Sequence, residues 1–368
     1  MSLTLLDSLT LDHPGSDTRT LSLYQGDITA LEASEQVDYI CVSALPGDYS
    51  PTSGSVIADL AAKGVSLATL AGNKAADFEP TMPCWITQDV SSVGLNFNRV
   101  VVFEPSDPAN NAGWDIGMIY RAVNCFQGTN ASSIALPMVS TGSGGADLSV
   151  ILRQLFFDGA HWASRNNWQL SDIKLIAYSQ AHADAAKAQF ATMKQQYQNP
   201  SLAAGGATAP SGMSQRQCNC IRGYTTSNYR LINKALRAKS LTDSNYINYI
   251  ATIEGISSGL ANMTNWTGAA KRGTNLPQSV INEYKVGAII AHDSFTSTST
   301  NSPWGGTCYL QIQSVTGKSI ASISQFPSEN EVLFDKAMTD KVTQVAGAGS
   351  GYQYRFYSDE DVPNYCGS

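Results

Sequence analysis

Ser328-Glu329-Asn330-Glu331-Val332-Leu333-Phe334 is the stretch on which the reading of this chain turns. Val332-Leu333-Phe334 is apolar and favours extended backbone, so the segment is expected to open a β-strand. Residues two apart on a strand share a face, which predicts that Glu329 and Glu331 project together into one site. Two carboxylates held that close repel each other unless a cationic ligand or a developing positive charge offsets them. In isolation, a solvent-facing edge with two acids would look the same.

Three upstream segments remove that isolation. Ser294-Phe295-Thr296-Ser297-Thr298-Ser299 reads as a strand with hydroxyls on both faces. Lys271-Arg272-Gly273-Thr274-Asn275-Leu276-Pro277 is a short basic segment ending in a turn signal. The stretch from Arg222 to Arg237 is an amphipathic helix in which Tyr229, Ile232 and Leu236 share one face. Ile247, Ile250, Ile253 and Leu260 continue at helical spacing. Short strands are then expected over Ala288–Ala291, Phe295–Thr300, Thr307–Gln313, Ser319–Ile323, Glu331–Asp335 and Val342–Val345. Helices followed by strands predict an α+β domain over 215–368.

Residues 198–214 are small, rich in Pro and Gly and nearly uncharged, which is linker composition. Before them, residues 1–197 alternate strand and helix signals. Apolar strands are expected at Thr20–Gln25, Tyr39–Ser43, Arg99–Phe103, Ser133–Met138 and Ile173–Tyr178. Helices are expected at Val56–Ala62, Asp115–Phe126, Leu148–Asn166 and Ala181–Gln196. That alternation predicts an α/β/α three-layer domain.

Composition narrows the function classes. The chain has 368 residues, enough for about two domains, with 43% hydrophobic and 14% charged residues, so it is globular. No apolar run approaches the roughly 18 residues a membrane helix needs, so no membrane partner is expected. The start, MSLTLLDSLTLDHPG, lacks a basic stretch and carries acids early, so no Sec signal peptide is expected. Residues 1–197 hold 10 Lys and Arg against 19 Asp and Glu, and residues 198–368 hold 13 against 11. Neither half has the basic excess of a nucleic-acid binder. Seven cysteines at dispersed spacings, with no CxxC pair, predict free thiols in a reducing compartment and no metal site.

In their order, the four segments of the second half resemble the arginine-specific mono-ADP-ribosyltransferases of the R-S-E type, which include many bacterial toxins. That family carries Y-x4-Y-x3-N, then R-G, then F-x-S-T-S, then E-x-E followed by V-L-F. The matching residues are Tyr224, Tyr229 and Asn233; Arg272-Gly273; Phe295 with Ser297-Thr298-Ser299; and Glu329 and Glu331 before Val332-Leu333-Phe334. The resemblance covers about residues 216–347 and implies NAD as substrate, with no metal. It assigns Tyr224, Tyr229, Asn233, Arg272, Gly273, Ser297, Thr298 and Ser299 to the dinucleotide. It assigns the chemistry to Arg272, Ser297, Glu329 and Glu331.

The physics fits those roles. Arg272 can offer forked, charge-assisted hydrogen bonds to pyrophosphate or ribose. Tyr224 and Tyr229 can pack against the dinucleotide or support its pocket, and Gly273 admits close backbone approach. Glu331 can stabilise the oxocarbenium-like ribose left when nicotinamide departs, with Ser297 holding its rotamer. Glu329 can orient a target arginine and accept its proton, since a protonated guanidinium is a poor nucleophile. E-x-E is the family mark of an arginine acceptor, and the loop Ser324–Ser328 would present Phe326 to the target protein. Lys271 stands where the family often has an aromatic residue or a second Arg, and Asn301–Gly306 contains no Arg for the phosphates. The implied protein is a bacterial or phage effector or toxin, made in the cytoplasm and delivered into a host or target cell. Alternatives are an NAD glycohydrolase and a non-catalytic ADP-ribose or NAD-binding module.

In the first half, Gly26-Asp27-Ile28-Thr29 follows the first predicted strand. Pro137-Met138-Val139-Ser140-Thr141-Gly142-Ser143-Gly144-Gly145 follows a later one. Together they resemble a macrodomain, the ADP-ribose-binding module, over about 20–197. The resemblance makes Asp27 the adenine contact, with Ile28 beside it. Ser140, Thr141, Gly142, Gly144 and Gly145 form the phosphate loop, whose backbone N–H groups would cradle phosphate, and Tyr178 lies near the adenosine. The family's V-N-A-A-N is replaced by Cys41-Val42-Ser43-Ala44-Leu45-Pro46-Gly47-Asp48.

Overall fold

The computed structural model describes residues 2–126 and 132–366. They form two compact units: one runs to Asn199 and takes in the residues from Asn364 on, and the other is Pro200–Pro363.

The first unit contains β1 (Thr4–Thr10), β2 (Thr20–Gln25), β3 (Val37–Ser43), α1 (Val56–Ala62), α2 (Leu67–Leu70), β4 (Lys74–Asp77), β5 (Cys84–Thr87), β6 (Phe97–Phe103), α3 (Ala112–Cys125), β7 (Ser133–Pro137), α4 (Leu148–Ala163), β8 (Asp172–Ala177) and α5 (Gln180–Gln198). The strands form one mixed sheet in the order β1-β2-β8-β7-β3-β6-β5-β4. Five central strands pair in parallel, and antiparallel β1, β5 and β4 flank them. Val100, Val101, Val102 and Phe103 of β6 are all fully buried, which requires cover on both faces. Ile57 and Leu60 of α1 and Leu67 of α2 join Ile40, Val42, Val100 and Val102 in one hydrophobic core.

The parallel strands and the four longer helices fall where hydrophobic patterning puts them. β1, β4 and β5 do not follow from it. β4 is a half-buried edge strand, and Thr4–Thr10 is the opposite edge, paired with β2.

One expectation about cysteine fails outright. Cys125, at the end of α3, forms a disulfide with Cys366 across 241 residues. The guanidinium of Arg121, one helical turn earlier, lies 3.8 Å from the ring centroid of Tyr365. A pairing over such a separation has no local spacing to announce it. The remaining cysteines, Cys41, Cys84, Cys218, Cys220 and Cys308, are buried and outside any disulfide.

The second unit opens with α6 (Gln215–Gly223), a π-helical turn (Tyr224–Asn228), α7 (Tyr229–Arg237) and α8 (Ser244–Ala261). Ser214 and Gln217 form a reciprocal capping box at the start of α6. The sheet follows with β9 (Gly268–Thr274), α9 (Gln278–Ile281), β10 (Ile289–His292), β11 (Thr296–Ser299), β12 (Cys308–Ser314), β13 (Lys318–Ser319), β14 (Glu331–Phe334), β15 (Met338–Ala346) and β16 (Tyr354–Glu360). Its order is β10-β15-β16-β12-β9-β11-β14-β13, antiparallel except between β12 and β16. The expected strand Ser319–Ile323 is mostly a turn, closed by Ile323 and Ser324 N–H groups on the Ile320 carbonyl. Residues 200–214, linker-like by composition, run against α6 and α8. Ala204 N–H donates to Asn219 O at 2.8 Å, and Leu202 N–H donates to Thr252 Oγ1 at 3.4 Å.

Among the described residues, no helix is long and apolar enough to cross a membrane, and no group of three or more His, Cys, Asp and Glu could hold a metal ion.

Candidate active site

β9, β11 and β14 are neighbours, and they bring Arg272, Ser297 and Glu331 to one place. Ser299 pairs with Lys271 on one side and with Glu331 on the other. Arg272 Nη1 donates to the Ser297 carbonyl at 3.1 Å. Glu331 is 4% exposed. Burial pushes its carboxyl up to about 7; the negative charge of Glu329 adds to that, while a hydrogen bond with Ser297 and the charge of Arg272 oppose it. A carboxylate poised near neutrality beside a fixed hydroxyl and a guanidinium is the arrangement expected of a group that meets developing positive charge.

Glu329 reaches this site by a different route from the one its spacing predicts. It is not on the strand. It ends a 3-10 turn (Pro327–Glu329), and Asn330 follows with a left-handed φ of 46° before β14 begins at Glu331. The two acids come together through a tight turn, with Ser299 Oγ donating to the Glu329 carbonyl at 2.7 Å.

Tyr224 and Asn233 lie beneath Ser297. Tyr224 is 1% exposed, and its hydroxyl is 3.3 Å from Ser297 Oγ. Asn233 Nδ2 donates to Tyr224 Oη at 3.1 Å and to Phe295 O at 3.2 Å. Burial pushes the Tyr224 phenol up to about 12, so it stays protonated. These two residues therefore support the serine, and direct contact with a ligand is left to more accessible groups. Tyr229 is exposed, its ring centroid 6.3 Å from that of Tyr224 and its hydroxyl accepting from Arg230 Nε. The helical face expected to hold Tyr229 with Ile232 and Leu236 thus carries only the two aliphatic residues into the core.

Two further assignments to the dinucleotide, besides Tyr224 and Asn233, need correction. Thr298 is 0% exposed and donates its hydroxyl to Val332 O at 2.7 Å, because alternation turns it to the opposite face from Ser297. Ser299 is 2% exposed and spends its hydroxyl on Glu329 O and Asn301 N–H. Gly273 does allow a close approach, but its own chain makes it. A Cβ there would lie 1.4 Å from the Trp304 carbonyl oxygen, which also accepts from Tyr352 Oη. Lys271 Nζ donates to Asn301 O and Asn275 accepts from Thr307 N–H, so β9 holds the 301–306 loop along one face.

In the first unit, Asp27, Ile28, Ser140, Thr141, Gly142, Gly144 and Tyr178 line a single cavity of about 360 Å³. Gly145 is outside the lining. Ser43, Thr52–Ile57 and His182, to which the resemblance assigned no ligand contact, also line it, and Ser53–Ser55 is the short polar stretch that precedes α1. Asp27 Oδ1 accepts from both the N–H and the hydroxyl of Thr29 at 2.8 Å. Ser140 has a left-handed φ of 60° and donates its N–H to Ser43 Oγ at 3.0 Å.

Residues 187–355 match the family model described as ADP-ribosyltransferase exoenzyme. The Mycobacterium avium (strain 104) protein Mav is 36% identical over 117 residues, covering 30% of this chain and 14% of that protein. The NAD(+)–protein-arginine ADP-ribosyltransferase Tre1 of Serratia proteamaculans (strain 568) is 30% identical over 125 residues, covering 33% of this chain and 27% of that protein. The chain thus spans 14% and 27% of the length of these two relatives. Among solved structures, the Vis toxin of Vibrio splendidus, titled an ADP-ribosyltransferase, aligns at 22% identity with a TM-score of 0.36, covering 47% of this chain and 84% of that one.

Proposed function

We propose that the second unit transfers ADP-ribose from NAD to an arginine side chain of a target protein, as an effector or toxin. One observation carries this reading: a nearly buried Glu331, held by Ser297 beneath Arg272, with Glu329 one turn away. The match of residues 187–355 and the names of the curated relatives support the same chemistry.

In the proposed reaction the bond between ribose C1′ and the nicotinamide nitrogen breaks, and nicotinamide leaves with the electron pair. Glu331, ionised, stabilises the oxocarbenium-like ribose. Ser297 fixes the Glu331 rotamer, and Tyr224 and Asn233 fix Ser297. Arg272 is available to the phosphates or ribose through the donors its single bond to Ser297 O leaves over. A guanidine nitrogen of the acceptor forms the new bond to C1′, and its proton passes to Glu329.

Purified full-length protein with NAD and an arginine acceptor tests this directly. Nicotinamide release and transfer should both appear, Glu331→Gln should remove both, and Glu329→Gln should remove transfer while sparing slow release. Release with no transfer to any guanidine would turn the reading into an NAD glycohydrolase.

The first unit supports a second reading. Its fold is proposed to be macrodomain-like and its 360 Å³ cavity to bind ADP-ribose, because seven of the eight residues expected at that ligand line one cavity. Calorimetric titration of ADP-ribose into the full-length Glu331→Gln variant tests it. Heat that disappears in a further Asp27→Ala variant supports the site, and absence of heat at high ligand concentration removes it.

A further inference from the structure

The loop ahead of Glu329 is pinned at both ends, and the helix that pins its root carries no assigned role. Arg222, the next-to-last residue of α6, spreads its guanidinium over three carbonyls. Nε donates to Gly205 O at 3.0 Å, and Nη1 donates to Ile323 O at 3.2 Å and to Ser324 O at 3.0 Å. Thr225, in the π-helical turn that follows, donates its hydroxyl to Arg222 O at 2.8 Å and accepts from Gln325 N–H at 2.9 Å. Thr226 within this turn has a non-helical backbone (φ −82°, ψ −168°), so the chain kinks between α6 and α7. Gly223 sits between Arg222 and Thr225, and a Cβ there would lie 1.9 Å from Leu202 O, so the 202–205 segment is held close under the same helix end.

The consequence is a rigid root and an exposed tip. Ile323 and Ser324 are 1% and 3% exposed, whereas Phe326 is 50% exposed. At the far end, Ser299 Oγ holds the Glu329 carbonyl and Thr300 N–H holds Asn330 O. Between those anchors, residues 325–328 are the only part of the span facing solvent throughout, and they end at the acid proposed to receive the acceptor.

Resting on the transferase reading above, we infer that Arg222 and Thr225 are positioning residues for the acceptor: by fixing the root of the 323–328 loop they set where Glu329 and Phe326 stand, and so decide whether the ribosyl cation is taken by a guanidine or by water. The side chains of Arg222 and Thr225 engage the 205 segment, the α6 end and the 323–325 root, away from the Ser297–Glu331 pair, so NAD cleavage itself is expected to proceed without them. A guanidinium suits this task because Nε reaches Gly205 O while Nη1, fixed in the same plane, reaches Ile323 O and Ser324 O, a spread that the single nitrogen of a lysine ammonium does not reproduce.

The test uses the full chain, NAD, and agmatine as a small guanidine acceptor. Nicotinamide release without acceptor and ADP-ribosyl-agmatine formation are measured for the parent, Thr225→Val, Thr225→Ser and Arg222→Lys. The expected result is a tenfold or greater loss of transfer at sub-saturating agmatine in Thr225→Val and Arg222→Lys. Nicotinamide release should change less than threefold, and Thr225→Ser should stay within twofold of the parent in both. The inference is overturned if transfer and release fall by the same factor, if transfer does not move, or if Thr225→Ser behaves like Thr225→Val. Should Arg222→Lys fold poorly in a thermal melt, the Thr225 pair decides alone. A parent that releases no nicotinamide at all overturns the transferase reading and this inference with it.

Discussion

The two units carry their candidate ligand sites in opposite ways. In the first, the cavity wall is made of loops and strand ends: Gly26–Ile28, the 140–144 loop, and the polar stretch before α1. Such a wall recognises a ligand with backbone N–H groups and small hydroxyls, so the identity of each side chain matters little and the chain can drift. In the second, the site is made of Arg272, Ser297, Glu329 and Glu331, whose charges and hydroxyls do the work. There, changing one side chain changes the chemistry. The lesson is that side-chain chemistry leaves a strong signature in sequence, while backbone recognition leaves a weak one.

Substitution should expose this contrast most sharply at Glu331. Glu331→Gln is expected to lower NAD cleavage at least a thousandfold, equivalent to about 4 kcal/mol of lost transition-state stabilisation, as read by nicotinamide release. A loss under tenfold would put the second site in the same tolerant class as the first.

The first unit should answer most strongly to its disulfide. Cys125→Ser, or a dithiol reductant, is expected to destabilise that unit by about 2–5 kcal/mol, since the link closes a long loop in the unfolded chain. Scanning calorimetry that resolves the two units checks it, and an unmoved first-unit transition would show that the link contributes nothing.

pH dependence should follow the second unit. With Glu331 pushed up from 4.5 to about 7, the ionised form needed for cleavage accumulates as pH rises, so activity should climb between about pH 6 and 8. Stability runs the other way. The raised folded value means that the protonated folded state is favoured below the unfolded value of 4.5, and that contribution is lost as pH rises through 7. At full ionisation the penalty is at most about 3 kcal/mol. Glu331→Gln should abolish this part of the slope, so its stability relative to the parent should be higher at pH 8 than at pH 5. A parent whose activity limb titrates near 4.5 would contradict the burial argument.

The smallest effect is expected at Thr298. Thr298→Val should cost about 1–2 kcal/mol, because the Val332 carbonyl loses its buried donor, and should leave the KM for NAD unchanged. A raised KM with unchanged stability would return Thr298 to the ligand.

Much of this was legible in the chain alone, and the failures are informative. Tyr39–Ser43 and Arg99–Phe103 are apolar runs that can only be strands buried on both faces, and they are. Ser297 and Glu331 sit on adjacent strands, β11 and β14. β4 and β9 escape the pattern because polar or small-residue segments become strands only when a neighbour supplies hydrogen bonds, and β1, β5 and β16 also lie outside the expected strands.

The sequence by itself determined the alternation of elements, the placement of the apolar strands, and the residue types available to the chemistry, because these follow from local periodicity and from what each side chain can donate, accept or ionise. Tertiary structure alone decided the rest. Ser299 holds the Glu329 carbonyl beside Glu331, Val332 takes the Thr298 hydroxyl away from the site, Arg222 reaches over 100 residues to hold the loop before Glu329, and Cys125 finds Cys366. Each depends on which distant backbone or side chain arrives alongside, and no local pattern encodes that.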